Sequence, residues 1–169
     1  QEFSPNTLLD KYYKYVPNTG WVVILNGTEE MVKGNGYNIR APQPYDANTA
    51  AIYGGVFTGV PNNGTILGPN AVAQKSNLLG NPYPSAIYAD EFIHDNAANF
   101  YGTLYFWTHN TSPRITVPGG NTYTYTNDDY AIYNLSGDTT IGNLTGIGAP
   151  SPGNQQPLLG YIAAGQGFF

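Results

Sequence analysis

The chain has 169 residues and a formal net charge of −5 at neutral pH, and only six residues are Lys or Arg, so no basic stripe is present to bind nucleic-acid phosphates. It has no cysteine, which excludes disulfides and thiolate metal sites, and no apolar run of the roughly 20 residues that a membrane-spanning helix requires. Frequent Gly, Pro and Asn interrupt helices while aromatic residues, at 14%, can drive burial, so the composition predicts an all-β chain with many turns.

Residues 1–19 precede the first strong strand signal, and we expect an extended N-terminal segment there that supplies a strand for assembly. Residues 20–169 are expected to form a single β-sandwich domain of the jelly-roll or Ig-like type. Its strands are predicted where a run of β-branched or aromatic residues is followed by residues that favour turns. In the first half of the domain the predicted strands cover residues 20–30, 36–42, 51–64, 64–68 and 77–80.

The corner Asn81-Pro82-Tyr83-Pro84 follows the last of these strands. Each proline fixes φ at about −65°, lacks an N–H donor and pushes its predecessor out of the helical region, so the corner cannot lie inside a central strand. We expect a strand-to-helix elbow, with Tyr83 filling the core. One short helix is predicted within residues 86–98, capped by Ser85 or Asp90.

In the second half of the domain, strands are predicted over residues 102–109, 121–134 and 161–169. The Thr-Tyr alternation at the start of the second of these has the period of a half-buried strand. Residues 134–157 are rich in Gly, Pro and Asn, and we expect a long surface loop there. Trp21 and Trp107 lie in apolar strands, where large aromatic side chains usually belong to the core.

A weak internal repeat links the segments 31–42 and 161–169. Each copy has a Gly-x-Gly-aromatic core after an apolar lead, Gly34–Tyr37 in the first and Gly165–Phe168 in the second. This pattern predicts a tight turn that needs a positive φ, followed by a strand that opens on a buried aromatic residue. A chance match is the alternative, because glycine is common in this chain.

Four motifs occur in the order NLLGNPYPSAI, GTLYFWTHN, YTYTNDDYAIYN and YIAAGQGFF. Together they resemble a module of large secreted and cell-surface proteins of Bacteroidetes that typically end in a type IX secretion sorting domain. The resemblance covers residues 20–169 and implies an extracellular, β-rich domain with no agreed catalytic set. This chain has Tyr88 where relatives often have Asp, so any metal or turn role of that Asp would be lost here.

Catalytic chemistry is not indicated. His94 and His109 are far apart in sequence. The acidic pairs Glu29-Glu30, Asp90-Glu91 and Asp128-Asp129 are adjacent residues, and adjacent side chains on a strand point to opposite faces. A general base needs a partner within hydrogen-bond reach, and a glycosidase needs two carboxylates about 5–9 Å apart. We therefore predict no catalytic residue, no organic cofactor and no enzyme.

A structural calcium ion is the metal that the sequence favours. Residues 126–130, TNDDY, gather hard oxygen ligands in an expected turn, and calcium takes six to eight oxygens. Asp128 and Asp129 are the candidate ligands. A solvated turn held by Asx hydrogen bonds is the alternative, since no spaced acidic calcium loop is present.

Glycosylation is expected in the second half of the chain. Asn-x-Ser/Thr triplets begin at Asn134 and Asn143, and Asp138-Thr139-Thr140 resembles the short pattern that Bacteroidetes O-glycosylate, which makes Thr139 a third candidate. Similar triplets at Asn26 and Asn63 have a ready structural role as turn residues.

The function predicted from these observations is that of a non-catalytic, extracellular structural module of a bacterial surface adhesin or filament, polymerising by β-strand complementation. Its expected partners are further copies of the chain or neighbouring modules of the same surface protein. The alternative is a carbohydrate-binding module in which tyrosines, Trp21 and Trp107 stack on glycans. A hydrolase ranks third.

Overall fold

The computed structural model describes residues 7–44, 52, 54–108, 114–115, 123–124, 130–139 and 159–169. These residues form short strands, one 3-10 turn at Leu25–Gly27 and one α-helix, α1, at Ala89–Asp95. The strands are β1 (Tyr12–Val16), β2 (Gly20–Val23), β3 (Tyr37–Ile39), β4 (Leu79–Gly80), β5 (Ile87–Tyr88), β6 (Thr103–Trp107), β7 (Arg114–Ile115), β8 (Tyr123–Thr124), β9 (Tyr130–Asn134), β10 (Gly137–Thr139), β11 (Tyr161–Ile162) and β12 (Gly167–Phe168).

The predicted all-β class with one short helix is confirmed, and the sheets in the described part of the chain have two or three strands each. Their pairing into a jelly-roll or Ig-like sandwich stays a prediction. No helix among the described residues is long and apolar enough to span a membrane.

The chain divides into two compact units. The first comprises Gln1–Ser85 with Ala163–Gly167, and the second comprises Ala86–Ile162 with Phe168–Phe169. Each unit therefore combines a long stretch of chain with a short piece from near the C-terminus. The predicted boundaries, 1–19 and 20–169, stay a prediction.

The first unit contains the three-stranded antiparallel sheet β2-β1-β3. The β1–β2 hairpin closes through Thr19, whose N–H donates to the Val16 carbonyl at 2.8 Å, and Gly20 follows with φ +89°. Pro17 presets the first central position of this turn, and only glycine adopts the left-handed conformation at its end without cost. Tyr12–Val16, in the segment that we expect to supply a strand for assembly, thus forms the central strand of this sheet within its own chain.

Strand β4 lies between the two copies of the internal repeat. On one side Asn35 bridges Leu79, and the N–H of Gly80 donates to the Gly34 carbonyl at 3.0 Å. On the other side β4 pairs with β12. The predicted turns are confirmed, since Gly34 and Gly165 have φ +80° and +69°. The aromatic residue is buried in the second copy (Phe168) and half-buried in the first.

The predicted strands over residues 51–64 and 64–68 are wrong for the described part, because residues 54–68 form none. Gly54, Gly55, Gly59 and Pro61 interrupt this segment, and neither glycine nor proline supports a strand interior. Several of its large apolar side chains are exposed, including Ile52, Val56, Phe57, Val60 and Leu67.

The second unit contains the antiparallel sheet β10-β9-β6. Leu104 and Phe106 of β6 are buried, as are Ala131 and Tyr133 of β9. Their cross-strand registers, Leu104 with Tyr133 and Phe106 with Ala131, place them on one face. Residues 137–139 of the expected loop form β10, because Asn134 and Ser136 make a tight turn that returns the chain beside β9.

Helix α1 packs its apolar side into the core of the second unit. Ala89 and Ile93 are buried, and Phe92 contacts the ring of Phe168 edge-on at 5.4 Å. The predicted helix is confirmed, but the predicted cap is wrong. The N-cap residue is Tyr88 and it makes no side-chain capping hydrogen bond, since the strand β5 runs directly into the helix.

Candidate functional site

The outward face of the sheet in the second unit carries large aromatic side chains. Tyr105 and Trp107 alternate with the buried residues of β6 and are 41% and 38% exposed. Tyr130 is directly opposite Trp107 on β9, and Phe169 exchanges both backbone hydrogen bonds with Tyr105, at 2.8 and 3.0 Å. Directly opposed residues project to the same face. We call these four residues the outer aromatic face.

Three rings of the outer aromatic face, those of Trp107, Tyr130 and Phe169, contact one another edge to face. Trp107 and Tyr130 have centroids 5.1 Å apart with planes at 72°, and Tyr130 and Phe169 have centroids 6.1 Å apart at 68°. Edge-to-face contacts are favourable for π-systems and hold each ring in one orientation. The result is a partly exposed, preformed aromatic surface, with Asn134 further along the same face of β9.

A smaller surface of the same kind lies on the sheet of the first unit. Trp21 and Val23 of β2 are 44% and 46% exposed, and Tyr15 is directly opposite Trp21 with ring centroids 5.3 Å apart and planes at 78°. The expectation that Trp21 and Trp107 belong to the core is therefore wrong. Both tryptophans occupy the outward positions of alternating strands.

The carboxylate of Asp90 joins two tyrosine hydroxyls within the second unit. Tyr133 donates to one oxygen at 2.7 Å, and Tyr88 donates to the other at 3.1 Å. Asp90 thereby ties the first turn of α1 to β5 and β9. It is a structural junction rather than the predicted helix cap.

We expect Tyr133→Phe to lower the stability of the second unit by about 2 kcal/mol, because Tyr133 is a buried residue and the acceptor of its hydroxyl is a carboxylate. Tyr88→Phe is the matched control, and its effect should be smaller because Tyr88 is exposed. Urea unfolding followed by circular dichroism measures both. Equal losses for the two variants would contradict this ranking.

The pKa of Tyr88 is raised above its usual value, mainly by the hydrogen bond to Asp90 and also by the negative charge of that carboxylate. Because the pKa of Tyr88 is raised in the folded state, the hydrogen bond from its hydroxyl to Asp90 stabilises the fold fully at pH values below the pKa of an unfolded tyrosine. It is lost as the pH rises through the raised value. The contribution of the Tyr88 hydroxyl to the junction is therefore lost in alkaline solution.

The corner at residues 81–84 is organised by Asn81, which is 4% exposed. Its side-chain N–H₂ group donates to the carbonyls of Ser85 at 2.9 Å and Ala163 at 3.0 Å, and its oxygen accepts from the N–H of Tyr83 at 2.9 Å. The prediction that Tyr83 fills the core is wrong. Tyr83 is half-buried and its hydroxyl donates to the carbonyl of Gly64 at 2.7 Å.

Several of the predicted site residues lie in segments that the structure does not describe. Asp128, Asp129, His109 and Asn143 lie outside the described residues, so the calcium and Asn143 glycosylation predictions stay predictions. His94 is exposed in the last turn of α1. Within the described ranges, no three His, Cys, Asp or Glu residues form a group that could hold a metal ion.

Of the other two predicted glycosylation sites, Thr139 ends β10 and pairs with Ile132. Asn134 ends β9, and its side-chain oxygen accepts from the N–H of Ser136 at 2.9 Å. Both sites therefore flank one hairpin, and their modification stays a prediction.

Sequence reasoning missed the outer aromatic face, although a signal was available. In the motif LYFW of β6 every residue is apolar or aromatic, so hydrophobicity alone does not separate the two faces. Tyr and Trp carry a polar group and are favoured where one end of the side chain meets water, whereas Leu and Phe are not. This distinction matches the observed outward and inward positions.

Comparison with known proteins identifies one family over the whole chain. Its description is "Domain of unknown function (DUF8693)", and it matches residues 1–169. No curated protein and no solved structure matches the chain.

Proposed function

The chain belongs to DUF8693, and on that premise we propose that it is a non-catalytic, extracellular structural module of a bacterial surface adhesin or filament. The observation that carries the proposal is the outer aromatic face. Its partners are further copies of the chain or neighbouring modules of the same surface protein.

The composition of the outer aromatic face supports a protein partner. Aromatic residues are enriched at protein interfaces, where they supply large contact areas at little cost in side-chain entropy. Exposed aromatic residues that are clustered, rather than scattered, mark interaction surfaces. The edge-to-face contacts of Trp107, Tyr130 and Phe169 preorder this surface before a partner arrives.

Polymerisation by strand complementation is part of the same proposal, and the first sheet constrains it. Strand β1 lies between β2 and β3, so it can serve a neighbouring copy only by leaving its own sheet, as in a domain swap. Deleting residues 1–16 would remove this central strand along with any donor function. That deletion therefore does not separate assembly from folding.

Surface variants on β6 test the proposal more cleanly. We expect the double variant Tyr105→Thr/Trp107→Thr to weaken self-association at least about tenfold, because hot-spot aromatic residues at interfaces often contribute 2 kcal/mol or more. Threonine is compatible with a strand and keeps the fold. Analytical ultracentrifugation over a concentration series measures the effect, and electron microscopy shows whether filaments form.

Tyr101→Thr is the matched control, because Tyr101 is 93% exposed in the same unit but lies outside the sheet. Its self-association should equal that of the wild type. The proposal fails if wild-type chains stay monomeric alone and beside a neighbouring module, or if both variants assemble alike.

Carbohydrate binding is the second candidate, favoured by the exposure of both tryptophans. It ranks lower because stacking on a sugar is best served by coplanar rings, whereas Tyr15–Trp21 and Trp107–Tyr130 are nearly perpendicular. Titration with soluble polysaccharides, followed by tryptophan fluorescence, distinguishes the two functions. A saturable change that the Trp107→Thr variant loses would favour the carbohydrate-binding module.

A further inference from the structure

Three Asn-Gly pairs occur among the described residues, at Asn26-Gly27, Asn35-Gly36 and Asn63-Gly64. Such pairs can rearrange because glycine has no Cβ to shield its backbone nitrogen. That nitrogen attacks the side-chain carbon of the asparagine and closes a five-membered ring. In a folded protein the rate of this reaction depends on whether the glycine N–H is oriented toward the asparagine side chain.

In two of the pairs the glycine N–H donates a hydrogen bond to a backbone carbonyl rather than to the asparagine side chain. The N–H of Gly27 donates to the carbonyl of Ile24 at 3.0 Å, and the N–H of Gly36 donates to the carbonyl of Leu78 at 3.3 Å. Asn26 and Asn35 are also only half-exposed. Both nitrogens are therefore turned toward a backbone acceptor.

The third pair is arranged differently. The N–H of Gly64 donates to the side-chain oxygen of Asn63 itself, at 2.8 Å. The carbon that the nitrogen would attack is bonded to this oxygen, so the hydrogen bond holds the nitrogen close to that carbon. Both residues are exposed, which admits water and base to the pair.

The neighbouring residues hold this geometry within the first unit. The side chain of Asn62 donates to the carbonyl of Pro82 at 2.7 Å, and the hydroxyl of Tyr83 donates to the carbonyl of Gly64 at 2.7 Å. Asn63 thus lies between two residues, Asn62 and Gly64, that are hydrogen-bonded to the proline corner at residues 81–84. Holding reacting groups in contact lowers the entropic part of a barrier.

We propose that Asn63 is a site of spontaneous self-modification in the folded protein. The nitrogen of Gly64, after losing its proton to solvent, forms a bond to the side-chain carbon of Asn63, and the bond from that carbon to the amide nitrogen breaks and releases ammonia. Water then opens the resulting succinimide at either carbonyl. The product is an aspartyl or isoaspartyl residue at position 63, with one added negative charge and no redox change.

The chain contains its own control, because Asn26 and Asn63 both begin the tripeptide Asn-Gly-Thr. Purified protein is incubated in mildly alkaline buffer, folded or in concentrated urea, and conversion at each site is followed by peptide mapping with mass spectrometry. In the folded protein we expect Asn63 to convert at least about tenfold faster than Asn26, which corresponds to a modest difference in barrier. In urea the two sites should convert at similar rates.

Equal conversion of the two sites in the folded protein, or faster conversion at Asn26, would overturn the proposal. The pH dependence is a second test, because the attacking nitrogen must first lose a proton. The rate at Asn63 should rise with pH. A rate that does not change with pH would rule out the intramolecular attack.

Discussion

Asn81→Asp is expected to destabilise the first unit by about 3–5 kcal/mol near neutral pH, the cost of an uncompensated buried charge. Asn81 is 4% exposed, and its amide group donates to two backbone carbonyls. A carboxylate cannot donate and would face both carbonyl oxygens with a negative charge. Urea unfolding, followed by circular dichroism and by tryptophan fluorescence, measures the loss.

The pH dependence of this variant gives a further check. Burial beside two carbonyl oxygens should raise the pKa of the introduced carboxyl group above its unfolded value of about 3.9. A raised pKa means that the folded state binds the proton more tightly, so the penalty is small below that value and grows as the pH rises through the raised pKa. Acidification should therefore rescue the variant.

Asn70→Asp is the matched control, since it makes the same chemical change at an exposed position of the first unit. It should change the stability by less than about 0.5 kcal/mol. A loss in Asn70→Asp as large as that in Asn81→Asp would show that added charge, rather than the buried hydrogen-bonding site, is responsible.

Gly36→Ala is expected to cost about 3 kcal/mol, at the upper end of typical overpacking penalties. A Cβ at this position would lie against the side chain of Leu78 and 2.6 Å from the carbonyl oxygen of Leu79. Backbone atoms cannot move aside without breaking the bridge between Asn35 and Leu79. Urea unfolding measures this loss as well.

Gly54→Ala is the control, because among the described residues, its chain neighbours aside, no atom lies within 4 Å of the Cβ that it would introduce. It should be neutral or should stabilise the protein by up to about 1 kcal/mol, through lower entropy of the unfolded chain. If both variants lost the same stability, the cause would be general sensitivity to glycine replacement. The close approach of the backbone at Gly36 would then carry no special cost.

The elements that the sequence predicted well have strong local signals. The Thr-Leu-Tyr-Phe-Trp run of β6 and the residues that form α1 follow from propensity and from the proline corner before them. The positive φ of Gly34 and Gly165 followed from the repeated Gly-x-Gly pattern. These features depend on a few neighbouring residues.

The features that were missed depend on distant residues. Tyr12–Val16 has strand-favouring tyrosines interrupted by Lys14 and lacks a clear apolar–polar alternation, and its central place in the sheet is set by pairing with β2 and β3. The role of Asn81 depends on the carbonyl of Ala163, 82 residues away. For the outer aromatic face, the sequence predicted the strands but not which side of each strand would be outward.

The division of the chain has a consequence for biosynthesis. The first unit includes Ala163–Gly167, and Asn81 is bonded to this segment through both its backbone N–H and its side chain. A ribosome makes the chain from its N-terminus, so the first unit cannot complete its hydrogen bonds until residue 167 has emerged. Long-range closure of this kind slows folding, so we expect the first unit to complete its fold only after nearly the whole chain has been made.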